Sequence, residues 1–378
     1  MLIFKELFLF EQHMIMDLKT LKDNAQYSLG YPCTLSYDYS AMSPFSTVTI
    51  NNVGCPYSSS TFKANTKDIE MEVLVWFSSL WGISYENIWG YITNGSTESN
   101  LQGLYVAREV AFNSSKYSNH VFLTSADSHY SLFKIAKMLM LNLVVVKTQN
   151  NGEIDYNDFT NKLILNLDKF IIINANLGTT MKGAIDDTHE LYRILQTYNK
   201  HYDDEFYIHL DAALTGFYLP FIERDLFFKA HVHSISISGH KFPGIPFPCG
   251  VFMMEKRFLS FISNNIEYIG SVDATISGSR NGHSALYFKH IIDMKGFSGF
   301  KNDVERCLDM AQYLEQRIPE AWRNQNSITV VIPRASPEII DKWQLATQDN
   351  LSHVICMPHV TKDKLDLFIQ EYNAIKNN

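Results

Sequence analysis

The chain has 378 residues, 46% hydrophobic and 13% aromatic, as in an ordinary globular protein with a large core divided between two unequal domains. Its formal net charge of −8 argues against nucleic-acid binding through a basic surface. Five scattered cysteines (Cys33, Cys55, Cys249, Cys307 and Cys356), none in a C-x-x-C pair, read as reduced thiols of a cytoplasmic protein and not as a disulfide framework or zinc site.

The segment from Met1 to Leu18 is apolar but interrupted by Lys5, Glu6, Glu11, Gln12 and His13. It lacks the uninterrupted apolar stretch of a signal peptide and reads as an amphipathic arm; no later stretch is long enough to span a membrane. Residues 30–66 are rich in Ser, Asn, Pro, Tyr and Gly and predict an extended, loop-rich segment. Ile69, Val73, Val75, Trp76 and Leu80 fit a helix over Asp68–Leu80. A loop is expected over Gly90–Asn100, then a helix over Leu101–Ala111. Short apolar runs then predict strands at Val121–Leu123, Leu143–Val146, Phe170–Asn174, Phe206–Leu210 and Ser234–Ser238, alternating with helices at Tyr130–Met140, Tyr156–Leu163 and Thr188–Tyr198. Such alternation predicts an α/β fold with a mostly parallel sheet covered on both faces. Past His283 the pattern changes to helices at Ser284–Met294 and Asp303–Arg317, strands at Ser327–Ile332 and His353–Met357, and a final helix at Lys362–Ile375. The expected organisation is an arm (1–55), a large domain (56–290) and a small C-terminal α+β domain (291–378).

Ligands of parallel α/β sheets bind outside the carboxyl ends of the strands. Lys241, in Ser238-Gly239-His240-Lys241, lies just past one strand end, and Asp211, in His209-Leu210-Asp211-Ala212-Ala213, past another. A lysine amine there can form a Schiff base, and an aspartate can keep a pyridine nitrogen protonated; together they point to pyridoxal 5′-phosphate (PLP). Ser238 and His240 offer donors to a phosphate. His129 opens a helix after a further strand, where its imidazole can stack on a pyridine ring. The loop Thr93–Asn100 precedes a helix whose first amides and hydroxyls suit a phosphate dianion, with Thr97 as the expected N-cap. His231 and His233 alternate on a predicted strand without a third ligand at a suitable spacing, so no metal site is expected.

These motifs resemble, in order, those of the PLP-dependent group II amino-acid decarboxylases of fold type I, and among them the bacterial histidine decarboxylases. The resemblance is carried by Trp89-Gly90-Tyr91-Ile92-Thr93-Asn94-Gly95, His129-Tyr130-Ser131, Asn176-Leu177-Gly178-Thr179-Thr180, Gly183-Ala184-Ile185-Asp186-Asp187, Asp211-Ala212-Ala213-Leu214, Ser238-Gly239-His240-Lys241 and Gly278-Ser279-Arg280-Asn281-Gly282-His283. It implies that Lys241 carries PLP, that His129 stacks on the ring and meets the substrate, and that Asp211 pairs with the ring nitrogen. It further implies that Ala213 packs on the opposite face, that Thr179 lies near the ring hydroxyl, and that Ser96, Thr97, Ser238 and His240 hold the phosphate. A homodimer with shared active sites is implied as well, the segment Gly278–Arg280 reaching toward the partner's cofactor.

The family usually has glycine where this chain has Ser96 and Ser99. Serine adds a side chain where the backbone approaches a phosphate or needs φ > 0, or else adds a hydroxyl donor. The implied reaction is α-decarboxylation of L-histidine to histamine. Ala321-Trp322-Arg323-Asn324, followed by Ser327-Ile328-Thr329-Val330-Val331, resembles the histidine enzymes, whereas Lys342-Trp343-Gln344-Leu345-Ala346-Thr347 and Met357-Pro358 resemble plant serine decarboxylases. L-Serine decarboxylation is therefore the second reading, and an inactive PLP-fold binding protein the third.

Overall fold

The computed structural model describes residues 17–201, 205–223 and 231–376. The arm expected over Met1–Leu18 lies outside the described residues except for Asp17, which caps the first helix α1 (Leu18–Ala25) by accepting from Lys19 N. The 30–66 segment is indeed mostly irregular. It is followed by α2 (Lys67–Leu80), β1 (Ile88–Thr93) and α3 (Ser96–Phe112). Next come β2 (His120–Ser125), α4 (Tyr130–Met138), β3 (Leu143–Val146), α5 (Tyr156–Ile164), β4 (Phe170–Asn176), α6 (Thr188–Thr197) and β5 (Phe206–Asp211). A short helix α7 (Thr215–Tyr218) precedes β6 (Ser234–Ser238) and β7 (Gly250–Glu255).

Seven strands form one sheet in the order β1-β7-β6-β5-β4-β2-β3. β2, β3, β4, β5 and β6 run parallel, while β7 is antiparallel to both β6 and β1. β1 therefore points the same way as the parallel set, and the carboxyl ends of six strands share one edge. Two elements here depart from expectation. Gly90–Thr93 belongs to a strand and not a loop, and the helix predicted from Leu101 begins at Ser96. β1 is buried along its whole length, which removes the alternation that betrays a strand. The first turn of α3 is polar because it faces other polar groups, so the apolar periodicity starts late.

Alternate residues of the strands bury against opposite helical layers. Val121, Ile171, Ile173, Ile208, Leu210, Ile235 and Val251 enter one apolar core, with Leu74, Phe77 and Phe288 of the helices. Phe122, Phe170, Ile172, Tyr207 and Phe252 enter the other, with Leu104, Ala107, Leu132 and Ile135 of α3 and α4. This two-sided covering, with its parallel strands, is the α/β architecture of fold type I.

A short hairpin, β8 (Asn264–Ile266) with β9 (Ser271–Asp273), leads to the long helix α8 (His283–Glu315). That helix consists of two helical segments, as expected, that meet at a kink where Gly296 leaves helical geometry (φ 54°, ψ −178°), and the boundary placed at 290/291 falls inside the first segment. A three-stranded antiparallel sheet follows, ordered β10 (Thr329–Pro333), β12 (Leu351–Ile355), β11 (Thr347–Gln348). It is flanked by α9 (Pro337–Trp343), which was not anticipated, and α10 (Lys362–Lys376). Leu29 stitches the small sheet to the 30–66 segment: its N–H donates to Trp343 O and its carbonyl accepts from Ile355 N. Among the described residues no helix is long and apolar enough to cross a membrane.

Candidate active site

A cavity of about 380 Å³ opens at the common strand edge, and all nine sequence-predicted residues line it: Ser96, Thr97, His129, Thr179, Asp211, Ala213, Ser238, His240 and Lys241. The sheet register explains this convergence. Thr93, Gly250 and Ser238 sit in one row across β1, β7 and β6, while Asn176, Asp211 and Ser236 sit in another across β4, β5 and β6. The turns leaving those rows deliver Gly95, Thr179, Ala213 and Lys241 to the same space.

One end of the cavity is built by the start of α3. Gly95 is its N-cap, at φ 129° and ψ 166°, a region that side-chain-bearing residues avoid. Thr97, expected in that role, instead lies inside the first turn. The Gly95 carbonyl accepts from Glu98 N (3.0 Å) and Ser99 N (3.2 Å), so the helix holds the strained residue in place. Ser96 Oγ lies 2.6 Å from Ser238 Oγ, pairing two hydroxyls at a helix N-terminus. Such an end presents free amides and a positive dipole, the arrangement that suits a phosphate. His240 Nδ1 is 3.0 Å from Cys249 O; burial, with Lys241 nearby, holds its pKa below the usual value against the pull of that hydrogen bond. Neither serine departs from the backbone its position needs, because both are helical and Gly95 alone takes the positive φ. Ser99 Oγ is 2.7 Å from Thr93 Oγ1 and is fully buried, away from the cavity lining, so its hydroxyl serves the β1–α3 junction.

The middle of the cavity carries the charged groups. Burial pushes the Lys241 amine below the ordinary lysine pKa, partly opposed by the Asp211 carboxylate and the Cys33 thiol. A lysine shifted this way is more often a free nucleophilic amine. Asp211 is the last residue of β5; its Oδ2 accepts from Asn100 Nδ2 at 2.9 Å and its Oδ1 from Ala213 N at 3.3 Å. His129 caps α4, with its Nδ1 accepting from Ser131 N and lying 2.7 Å from Ser131 Oγ. Burial lowers its pKa, Asp211 opposes that shift, and Lys241 and Lys134 add to it, so the imidazole is neutral at pH 7.

The rim is contributed by other parts of the chain. Thr179 lies in a turn that closes on itself, its Oγ1 and carbonyl accepting from Ala184 N and Gly183 N. Tyr31 and Pro32 come from the extended segment, and Thr329, Ala346, His353 and Ile355 from the small domain. Sequence patterns missed this rim, and also Asn100 and His209, which stand behind Asp211. The one available signal was the period-2 placement of His209 beside Asp211 on β5.

Other singled-out residues lie elsewhere. Arg280 is buried, ion-paired with Glu70 and donating from Nη2 to Gly54 O, so it is tied down inside the chain instead of projecting from it. His231 and His233 precede β6 and are not part of it; the first stacks on Tyr192 and the second accepts from Ile208 N. Asn324 bonds to the carbonyls of Asn151 and Lys182, and Trp343 to Glu371. Of the stretches compared with histidine and serine enzymes, Thr329 from the first and Ala346 from the second reach the cavity.

The donor set fits PLP: an amine of lowered pKa, a held carboxylate, a neutral imidazole and a hydroxyl-lined helix N-terminus all open on one cavity. Residues 14–335 match the model of the pyridoxal-dependent decarboxylase conserved domain. The chain is 42% identical to serine decarboxylase 1 of Oryza sativa subsp. japonica over 360 residues, covering 93% of this chain and 73% of that protein. It is 39% identical to the histidine decarboxylase of Vibrio anguillarum over 365 residues, covering 94% and 93%. Among solved structures, the L-methionine decarboxylase of Streptomyces sp. 590 superposes with a TM-score of 0.84 at 25% identity, covering 93% of this chain and 92% of that one. The chain therefore belongs to the pyridoxal-dependent decarboxylases, the group II amino-acid decarboxylases that its sequence motifs resemble, and PLP is its cofactor.

Proposed function

We propose that this PLP-dependent amino-acid decarboxylase acts on L-histidine, giving histamine and CO2, as a cytoplasmic homodimer. The observation that carries the chemistry is the opening of Lys241 and Asp211 on one cavity from neighbouring strand ends. The near-complete mutual coverage with a histidine decarboxylase supports the substrate. L-Serine is the second reading, favoured by the 42% identity to a rice serine decarboxylase.

When bound, PLP supplies an electron sink for the pair left on Cα as the carboxylate departs. Lys241 Nζ, deprotonated more readily than an ordinary lysine, would be the amine that holds the cofactor. Asp211 would hold an anion for the ring nitrogen, His129 and Ala213 would confine the ring, Thr179 would serve its hydroxyl, and Ser96, Thr97, Ser238 and His240 would receive the phosphate. Tyr31, His353 and Ile355 line the same cavity and would help to orient the substrate and exclude water. The His129 ring, neutral and with its Nδ1 engaged at Ser131, keeps its proton on Nε2.

The test is a panel of amino acids with added PLP and identification of the amines formed. L-Histidine is expected to turn over faster than L-serine; the reverse order assigns the enzyme to serine. No release of CO2 from any amino acid would instead favour an inactive binding protein.

A further inference from the structure

We infer that Asn100 and His209 are positioning residues that act on the cofactor through Asp211, as a one-way hydrogen-bond relay running from Ser234. The inference rests on the pairing of Asp211 with the cofactor's ring nitrogen, and goes beyond it by assigning what orients the carboxylate.

The direction of the relay follows from donor and acceptor chemistry. Asp211 Oδ2 is 2.9 Å from the Asn100 side-chain nitrogen. A carboxylate only accepts, so the amide NH2 must face it and the amide oxygen must face away. That oxygen lies 3.0 Å from His209 Nε2. An amide oxygen also only accepts, so Nε2 carries a proton. His209 is completely buried and desolvation pushes its pKa down to about 3, so the ring is neutral and Nδ1 is bare. Nδ1 then accepts from Ser234 Oγ, 2.8 Å away. Every donor in the sequence Ser234, His209, Asn100 points toward Asp211, and hydrogen bonds aligned this way polarise one another.

The packing is arranged to admit this relay. His209 and Asp211 are two residues apart on β5 and share the face turned to α3. Asn100 and Gly103 are three apart on α3 and share the face turned to β5. A Cβ on Gly103 would lie 2.3 Å from His209 Nδ1 and 2.5 Å from its Cε1. Only glycine leaves room for the imidazole there, so the helix that supplies the Asn100 amide also makes space for the ring behind it. A buried histidine with both nitrogens engaged is costly to replace, because any substitute strands the Asn100 oxygen or the Ser234 hydroxyl.

The experiment uses the PLP-loaded protein with 15N in the pyridine ring, read by NMR for the protonation of that nitrogen, together with turnover of the amino acid that the wild type prefers. Asp211→Ala is measured first: if its ring-nitrogen signal equals that of the wild type, the pairing of Asp211 with the ring fails, and the relay with it. With Asp211→Ala shifted, Asn100→Leu and His209→Phe are expected to move the signal the same way and to lower kcat by about 10- to 100-fold, the range for losing a hydrogen bond to a charged group. His209→Gln, which keeps an N–H toward Asn100, restores most of both. Gly103→Ala displaces the ring without removing any polar group and shifts the signal in the same direction, giving a second route where Asn100→Leu does not fold. A ring-nitrogen signal unchanged from wild type in the folded members of this set, with Asp211→Ala shifted, overturns the relay and leaves the Asp211 pairing standing.

Discussion

Gly95→Ala isolates the part of the phosphate end that depends on backbone shape. Gly95 sits at φ 129°, ψ 166° and is fixed on both sides. Its carbonyl accepts from Glu98 N and Ser99 N, while the preceding Asn94 N and Nδ2 donate to Glu98 Oε2 at 3.1 and 2.7 Å. A Cβ would find open space, its nearest neighbour being His240 Cε1 at 3.9 Å, so the penalty is conformational and not steric. Holding alanine in this region costs about 1–3 kcal/mol. If the loop relaxes when the cofactor is absent, PLP must restore the strained form, and its dissociation constant rises by roughly 5- to 150-fold, since about 1.4 kcal/mol is tenfold. If the loop stays strained throughout, the same cost appears as a lower melting temperature both with and without cofactor. The assay is a PLP titration of the apo-protein by absorbance, with melting curves of both forms. Ser96→Ala is the control, because Ser96 is helical and this change removes only its hydroxyl. A Gly95→Ala protein with PLP affinity within about twofold of wild type and unchanged melting would refute the claim that this conformation shapes the site.

Lys241→Ala should abolish the visible absorbance of bound cofactor together with turnover; retention of both removes the Schiff-base assignment. In the apo-protein, the rate of PLP capture should rise with pH through a midpoint below the ordinary lysine value of 10.5, because burial disfavours the ammonium form. Asp211 opposes that shift, so Asp211→Asn should move the midpoint lower still, and an upward movement contradicts the electrostatics. Arg280→Met should cost about 3–5 kcal/mol in urea unfolding, because it strips the fully buried Glu70 carboxyl of its cation and leaves it, among the described residues, Ile92 N and Asn52 Nδ2 as donors. The Glu70→Met, Arg280→Met pair should recover much of that loss, and a single-variant cost below about 1 kcal/mol would show the ion pair to be dispensable.

Much of the large domain was legible because its signals are local. β3 and β6 were placed to the residue, and α4, α5 and α6 to within two residues, since each combines a clear apolar run with polar flanks. β1 and β7 were not seen. Both are almost wholly buried, so neither alternates, and Gly90 and Gly250 look like turn residues when read alone. In the sheet they are positions of close backbone approach between paired strands: a Cβ on Gly90 would meet Phe252 O at 2.3 Å and one on Gly250 would meet Ile237 O at 2.8 Å. The polar first turn of α3 misled for the opposite reason, since Ser99 and Asn100 are buried through hydrogen bonds to Thr93 and Asp211 and not through apolar contact. His209 passed as an ordinary strand residue because its partner Asn100 lies 109 residues away.

The available chemistry was readable from residue types alone: a lysine, an aspartate and a histidine at strand-to-loop junctions, and a β/α alternation that sends such junctions to one edge of a sheet. Those are consequences of residue type and short-range periodicity, which act over a few residues. Tertiary structure alone decided that β7 inserts between β1 and β6, bringing Thr93 and Gly95 beside Ser238, and that α3 lays Asn100 and Gly103 against His209. It also decided that the small domain adds Thr329, Ala346, His353 and Ile355 to the cavity lining. These arrangements depend on pairings between distant segments, whose free energy comes from burial and hydrogen bonding that exist only after the chain has folded.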